Sequence, residues 1–199
     1  MKIVSLFPKA VGSFHIGRDL TKDEMQFIKG QPTRSNMGNT TSMDNYILKA
    51  EKLKAINDFI EASVHEYFMA VYAPKDDVTL RITQSWFNYT EPGQFHHKHA
   101  HPNSFISGVF YPQANRETDK IYFYKDNYEQ IKVPTQDWNM WNSESWWLEA
   151  EQGGLYVFPS GLVHMVETVK GTQTRISLSF NTFPVGKIGI QEDLSQLLL

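Results

Sequence analysis

The stretch Thr174-Arg175-Ile176-Ser177-Leu178-Ser179-Phe180-Asn181 alternates without a break. Successive side chains of an extended strand point to opposite faces. Ile176, Leu178 and Phe180 therefore share one face, and Arg175, Ser177, Ser179 and Asn181 share the other. An apolar face that can close a core and a wet face opposite mark an antiparallel strand. Working outward, Leu80, Ile82 and Trp86 alternate in the same way with Arg81, Thr83 and Ser85. Further β-like runs cover 105–111, 121–124, 154–158 and 162–169, separated by Gly, Pro and Asn. Short strands at such intervals predict a mainly β fold, a sandwich or barrel with flanking helices.

Upstream of Pro74 the period changes from two to three or four. Thr21-Lys22-Asp23-Glu24 has the form of a capping box, which starts a short helix through Phe27 that Gly30-Gln31-Pro32 ends. A Gly/Asn/Ser/Thr-rich stretch follows at 35–42. Asp44 is then expected to cap a long helix to about Tyr72, with Ile47, Leu48, Leu53, Ile56, Ile60 and Val64 on its buried face. The 199 residues read as a single domain: a strand and helices over 1–75, packed on a β core over 76–190.

Composition narrows the function classes. There is no cysteine, which excludes thiolate metal sites, disulfides and cysteine nucleophiles within this sequence, so any metal must be held by His, Asp or Glu. Nineteen basic and 22 acidic residues give a net charge of −3, which disfavours nucleic acid as a partner. No apolar run approaches the ~20 residues that span a bilayer, so no membrane association is expected. The opening Met1–Pro8 is too short in apolar residues for a secretory signal, and a cytoplasmic setting is expected. Trp138, Trp141, Trp146 and Trp147 stand close together. The ordinary fate of Trp predicts a loop folded back on the core; the other reading is an aromatic lip over a substrate pocket.

Four of the seven histidines fall in His96-His97-Lys98-His99-Ala100-His101. Strand alternation sets His97, His99 and His101 on one face, with His96 and Lys98 on the other. Imidazoles two residues apart on one face can reach a single metal ion, although a bare His-x-His also occurs in solvated strands. A third imidazole, His164, follows the turn Pro159-Ser160-Gly161 on a different strand. Lys170-Gly171 suggests a hairpin between the strands of His164 and Arg175. Pairing 164 with 175 or 177 would place Arg175 opposite or diagonal to His164, roughly 5–8 Å away at Cβ. Such a site suits a ligand that chelates a metal at one end and offers a carboxylate to a guanidinium at the other.

These residues resemble the iron(II)- and 2-oxoglutarate-dependent oxygenases. The match is a His-x-(acid) pair, a distal His, and an Arg-x-Ser some ten residues later: here His99-Ala100-His101, His164 and Arg175-Ile176-Ser177. More narrowly, Ser85-Trp86-Phe87-Asn88-Tyr89, His101-Pro102-Asn103-Ser104, Ser107-Gly108-Val109-Phe110-Tyr111 and Phe158-Pro159-Ser160 are similar to a 2-oxoglutarate oxygenase subfamily of bacteria and tailed phages. The resemblance covers about 79–183. It implies a double-stranded β-helix (a jelly-roll, cupin-like barrel) and Fe(II) held by His99, His101 and His164. It further implies 2-oxoglutarate bound through Arg175 and Ser177, and dioxygen as co-reactant. A C–H bond of an unidentified substrate, a protein prolyl side chain among the candidates, would be oxidised with release of succinate and carbon dioxide. Tyr89, ten residues before His99, matches a family tyrosine that bonds the cosubstrate; it reads equally well as a packed strand aromatic. The chain departs from the pattern at His101, where the family usually has Asp or Glu. A three-His site is expected, the other option being a carboxylate from elsewhere.

Two other classes fit parts of the pattern. The spacings Gly93-x5-His99-x-His101 and Pro159-x-Gly161-x2-His164 also resemble cupin motifs, which would give a metalloenzyme with no need of 2-oxoglutarate; Arg175 and Ser177 favour the oxygenase. A non-enzymatic β-sandwich binding module is the remaining reading. Compartment (a host cytoplasm if phage-encoded), the role of His97, and oligomeric state, a homodimer included, stay open.

Overall fold

The computed structural model describes residues 1–75, 77–125, 131 and 133–199. The 75/76 boundary between helical arm and β core adjoins residue 76, which lies outside the described residues. The strands in chain order are β1 (Gly12–His15), β2 (Thr33–Ser35), β3 (Thr40–Ser42), β4 (Thr79–Thr90), β5 (His96–His99), β6 (Ile106–Gln113), β7 (Lys120–Tyr124), β8 (Ser145–Glu149), β9 (Gly154–Pro159), β10 (His164–Val166) and β11 (Arg175–Val185). Two helices, α1 (Lys22–Lys29) and α2 (Lys54–Tyr72), precede β4.

These eleven strands form two sheets, and two further short segments, Lys187–Ile188 and Leu197–Leu198, pair as a separate ladder. One has seven strands in the order β1-β9-β6-β11-β4-β3-β2, and the other four in the order β5-β10-β7-β8. Neighbours within each are antiparallel, the arrangement of a double-stranded β-helix. The strand alternation predicts both faces of β11 correctly. Ile176, Leu178 and Phe180 enter the main core with Phe87 and Tyr89 of β4 and with Ile56, Ile60 and Val64 of α2. Arg175, Ser177 and Ser179 face the space between the sheets, beside Trp86 and Asn88. A smaller apolar cluster around Val109, Tyr111, Ile121 and Phe158 fills the rest of that space.

The capping box at Thr21 forms: Glu24 N–H donates to Thr21 Oγ1 at 3.1 Å and Thr21 N–H to the Glu24 carboxylate at 2.7 Å. The long helix differs from expectation at its start. Asp44 caps no helix; its Oδ1 accepts from Tyr46 N–H in an Asx-type turn. Two short 3-10 turns follow, Ile47–Lys49 and Glu51–Leu53, before α2 begins. Ser85 is the cause: it bonds the Asn45 carbonyl through its N–H and the Leu48 N–H through its hydroxyl, tying this stretch to β4. The 35–42 stretch also holds more order than its composition suggests, since β2 and β3 extend the large sheet across it.

The tryptophans are not folded onto the core. Trp138 and Trp141 are 68% and 49% exposed, and Trp146 and Trp147 are 40% and 38%. The physical reason is that β8 is the edge strand of the small sheet, whereas the helices cover the large one. Lys120 Nζ lies 3.6 Å over the Trp147 ring, a cation–π contact that suits an exposed indole.

Gly108 of β6 sits where no side chain fits. A Cβ there would run into the Phe180 ring and come 2.9 Å from the Tyr156 carbonyl oxygen. Gly108→Ala should therefore destabilise the fold by about 1–3 kcal/mol. The shift in denaturation midpoint at unchanged slope measures it; a midpoint equal to the parent's would show that Phe180 yields freely.

Candidate metal centre

His99, His101 and His164 come together from three local structures. His99 ends β5, and His164 opens β10 directly opposite it in the ladder. His101 lies beyond β5, its N–H bonded to the Ser160 carbonyl at 2.9 Å, in the turn that leads to His164. One ring nitrogen from each lies within 4.8 Å of those of the other two.

The orientation of each ring follows from its second nitrogen. His99 Nδ1 lies 2.8 Å from the His97 carbonyl oxygen, and His164 Nδ1 lies 2.9 Å from that of Leu162. His101 Nδ1 lies 2.5 Å from Asn181 Oδ1. These oxygens only accept, so each Nδ1 carries the proton and donates. Each neutral ring then presents an Nε2 lone pair. His99 Nε2 and His101 Nε2 stand 3.1 Å apart, two lone pairs facing each other. Protonation would relieve this, but burial works against it: it pushes His99 down to about 4, His164 down to about 3, and His101 below its ordinary value. A cation shared by the three nitrogens satisfies the same geometry. The residues present thus fit a divalent metal, with imidazole donors suited to iron, nickel, copper or zinc.

Asn181 is a residue the sequence reading passed over. It appeared only as the end of the polar face that Arg175 begins. Its Oδ1 also accepts from Ser107 Oγ at 2.8 Å, and Ser107 joins Ser160 at 2.8 Å, so a buried hydroxyl–amide network holds His101.

Arg175 and Ser177 line the cavity that His99, His101 and His164 enter, but not by the expected hairpin. β10 pairs with β5 and β7, whereas β11 pairs with β4 and β6. The segment between them crosses from one sheet to the other, and Val169 bonds Gly93 and Gln94 on the way. His164 and Arg175 therefore face each other across the sandwich. Arg175 is 2% exposed. Its Nη2 donates to Thr90 Oγ1 at 3.1 Å, its Nε has no partner, and no carboxylate lies within ion-pair distance of it among the described residues. Burial lowers its pKa from the ordinary value, yet a guanidinium stays charged. Asp119 acts on it electrostatically without forming an ion pair, so this buried cation, with no direct carboxylate partner among the described residues, can receive an anion.

Two sequence expectations fail here. Tyr89 does not enter the cavity: it packs in the helix-side core, and its hydroxyl donates to the Ile28 carbonyl at 2.6 Å. Its odd-numbered place on β4 puts it on the face opposite Trp86 and Asn88. The tyrosine that does line the cavity is Tyr111 of β6. Nor does His96 take the far face from His99. The register shifts between the pairs His164–His99 and Val166–His96, and the extra residue breaks the alternation. His96 thereby joins the cavity wall, its Nδ1 accepting from Asn39 Nδ2 at 3.0 Å. His97 stacks on His96 with centroids 5.0 Å apart, and His96, His97 and His99 form a second group with ring nitrogens within 4.8 Å. With its Nδ1 committed to the His97 carbonyl, His99 has only Nε2 to offer, so one ion at a time can use it.

The depressed imidazole pKa values fix a pH dependence. The unfolded chain takes up protons near 6.5, whereas His99 and His164 do so only near 4 and 3 in the folded protein. Between those values the unfolded state binds more protons, so metal-free stability rises with pH across this window. Thermal melts should therefore show a loss of stability as pH falls from about 6.5 toward 4, reduced in His164→Phe. A flat profile over that range would mean that the rings are solvated.

The comparisons agree with this geometry. Residues 84–181 match the family model described as "Putative 2OG-Fe(II) oxygenase". No curated protein matches the sequence. Similar solved structures include an oxidoreductase of the 2OG-Fe(II) oxygenase family from Burkholderia pseudomallei (12% identity, 79% of this chain and 74% of that one, TM-score 0.57). A prolyl-4-hydroxylase from Pseudomonas putida matches at 12% identity over 87% and 92% (TM-score 0.56). HygX from Streptomyces hygroscopicus, with nickel and 2-oxoglutarate bound, matches at 8% over 87% and 82% (TM-score 0.55). At these identities the likeness is one of fold, and the family match covers the segment that carries the histidines and the arginine. The chain thus resembles the 2OG-Fe(II) oxygenases in the sequence of its barrel segment and in its architecture.

Proposed function

We propose that the chain is an Fe(II)- and 2-oxoglutarate-dependent oxygenase in which His99, His101 and His164 are the metal ligands and Arg175 holds the distal carboxylate of 2-oxoglutarate. One observation carries the proposal: three inward imidazole lone pairs share a cavity with a buried guanidinium that makes no ion pair among the described residues. When bound, the metal and 2-oxoglutarate would supply dioxygen activation for C–H oxidation, with release of succinate and carbon dioxide.

The chain's own residues bind, orient and exclude. The Nδ1 hydrogen bonds of the three histidines preorganise the donor set, so the metal need not select ring orientations. Arg175 offers a planar fork matched to a carboxylate. Ser177, beside it on the same face of β11, makes no hydrogen bond to another described side chain and is placed to donate to the same group. Tyr111 takes the cosubstrate role that the sequence suggested for Tyr89, because its ring lines the cavity. Val109, Ile121 and Phe158 give the cavity an apolar wall that limits water. Three neutral ligands leave a bound divalent ion with its full charge, which favours a dianionic cosubstrate.

The test is anaerobic titration. Fe(II) alone should leave the visible region clear, and a weak band should appear only on adding 2-oxoglutarate. His164→Ala should weaken metal binding by more than about 100-fold. Arg175→Lys should bind metal normally but need roughly 10–100-fold more 2-oxoglutarate, since a point charge loses the bidentate bond. Unchanged 2-oxoglutarate affinity in Arg175→Lys would remove the assigned role, and a parent protein that binds no first-row metal at micromolar concentration would remove the proposal.

A further inference from the structure

We infer that the open groove outside the histidines is the primary-substrate site and that it takes a substrate bearing an oxyanion, with Arg34 as the residue that selects it. The inference rests on the reading that the His99–His101–His164 centre is where the chemistry occurs.

The groove has a volume of about 640 Å³ and is walled by the β2–β3 hairpin, β4 and the segment from His96 to Asn103. His96, His99, His101 and Trp86 line both it and the inner cavity, so the two are continuous at the centre. Trp86 leans on His101 with ring centroids 5.8 Å apart, an aromatic platform between groove and metal ligands. A substrate lying in the groove thus meets the centre from the side away from Arg175.

The chemistry of the wall selects for charge. Apart from the histidines, Arg34 is the one ionisable side chain among the described lining residues of acid or base type, and no Asp or Glu is among them. The other polar walls are neutral amides and hydroxyls, among them Asn36, Asn45, Gln84 and Asn103. Arg34 Nη2 donates to Asn45 Oδ1 at 3.1 Å, which orients the guanidinium without neutralising it; among the described residues it makes no ion pair. Register fixes its place. Arg34 pairs with Thr41, Thr41 with Asn88, and Asn88 with Ser177, so these residues lie in one row across the sheet. Cross-strand partners share a face, so Arg34 projects on the same side as the cavity residues Asn88 and Ser177. Two strand spacings, about 10 Å, separate its backbone from that of Asn88. An anionic group held there would leave the body of a small substrate to reach across Trp86 toward the histidines. Carboxylate and phosphate share the geometry that a guanidinium fork recognises.

The experiment uses the metal-free 199-residue chain, with matched aromatic probes suited to Tyr46 and Trp86. Calorimetric binding of hippurate, phenyl phosphate and the uncharged hippuramide is compared for the parent, Arg34→Gln and Arg175→Met. The parent should bind at least one anion roughly tenfold more tightly than hippuramide. Arg34→Gln should lose that preference with an unchanged melting temperature, and Arg175→Met should keep it. The tighter of the two anions assigns carboxylate or phosphate. The inference is overturned if neither anion binds the parent, if hippuramide binds as well as both, or if Arg175→Met alone abolishes the preference, which would place the anion in the inner cavity. Neither metal nor 2-oxoglutarate enters the measurement, so its outcome is independent of the titrations that test the oxygenase reading.

Discussion

Three imidazole Nδ1–H groups, each given to an oxygen that can only accept, set the chemistry of this molecule. They leave three lone pairs turned toward one region, two of them 3.1 Å apart. Burial keeps the rings neutral, so proton uptake does not relieve the crowding. The folded chain therefore holds a local electrostatic conflict that a cation resolves. Much of the surrounding structure maintains it: the Pro159–Ser160 turn that carries the Leu162 carbonyl, the buried hydroxyls of Ser107 and Ser160, and Asn181 at the end of the polar face of β11.

Arg175 poses the opposite conflict on the facing sheet. A guanidinium removed from water with one hydrogen bond from Nη2 and an orphaned Nε is costly to bury. The cost makes sense if an anion arrives. Lone pairs seeking a cation and a cation seeking an anion share one cavity, and a metal-chelating dicarboxylate would answer both. The apolar side of the same strands keeps this arrangement rigid, because Ile176, Leu178 and Phe180 interlock with the α2 face in the main core.

The two-sheet frame also explains why the site has two approaches. The inner cavity lies between the sheets, and the groove opens past the β2–β3 hairpin at the margin of the large sheet. That hairpin adds polar residues next to the histidines without contributing to the main core. Thr41 and Ser42 of β3 are buried and bonded to β4, whereas the exposed side chains of β2 can vary with little effect on the fold, which is where specificity is usually carried.

The sequence by itself determined the strand alternation, the two faces of β11, the capping box at Thr21 and the residue types that gather at the centre. These are local or periodic properties, and neighbouring residues alone dictate them. Only the tertiary structure decided that His164 and Arg175 belong to different sheets, that a bulge brings His96 into the cavity wall, that Tyr111 lines the cavity while Tyr89 packs under the helices, and that Ser85 delays the start of α2. Each of these depends on which strands pair and in what register. Register is set by long-range packing that a one-residue slip would invert, so no local pattern encodes it.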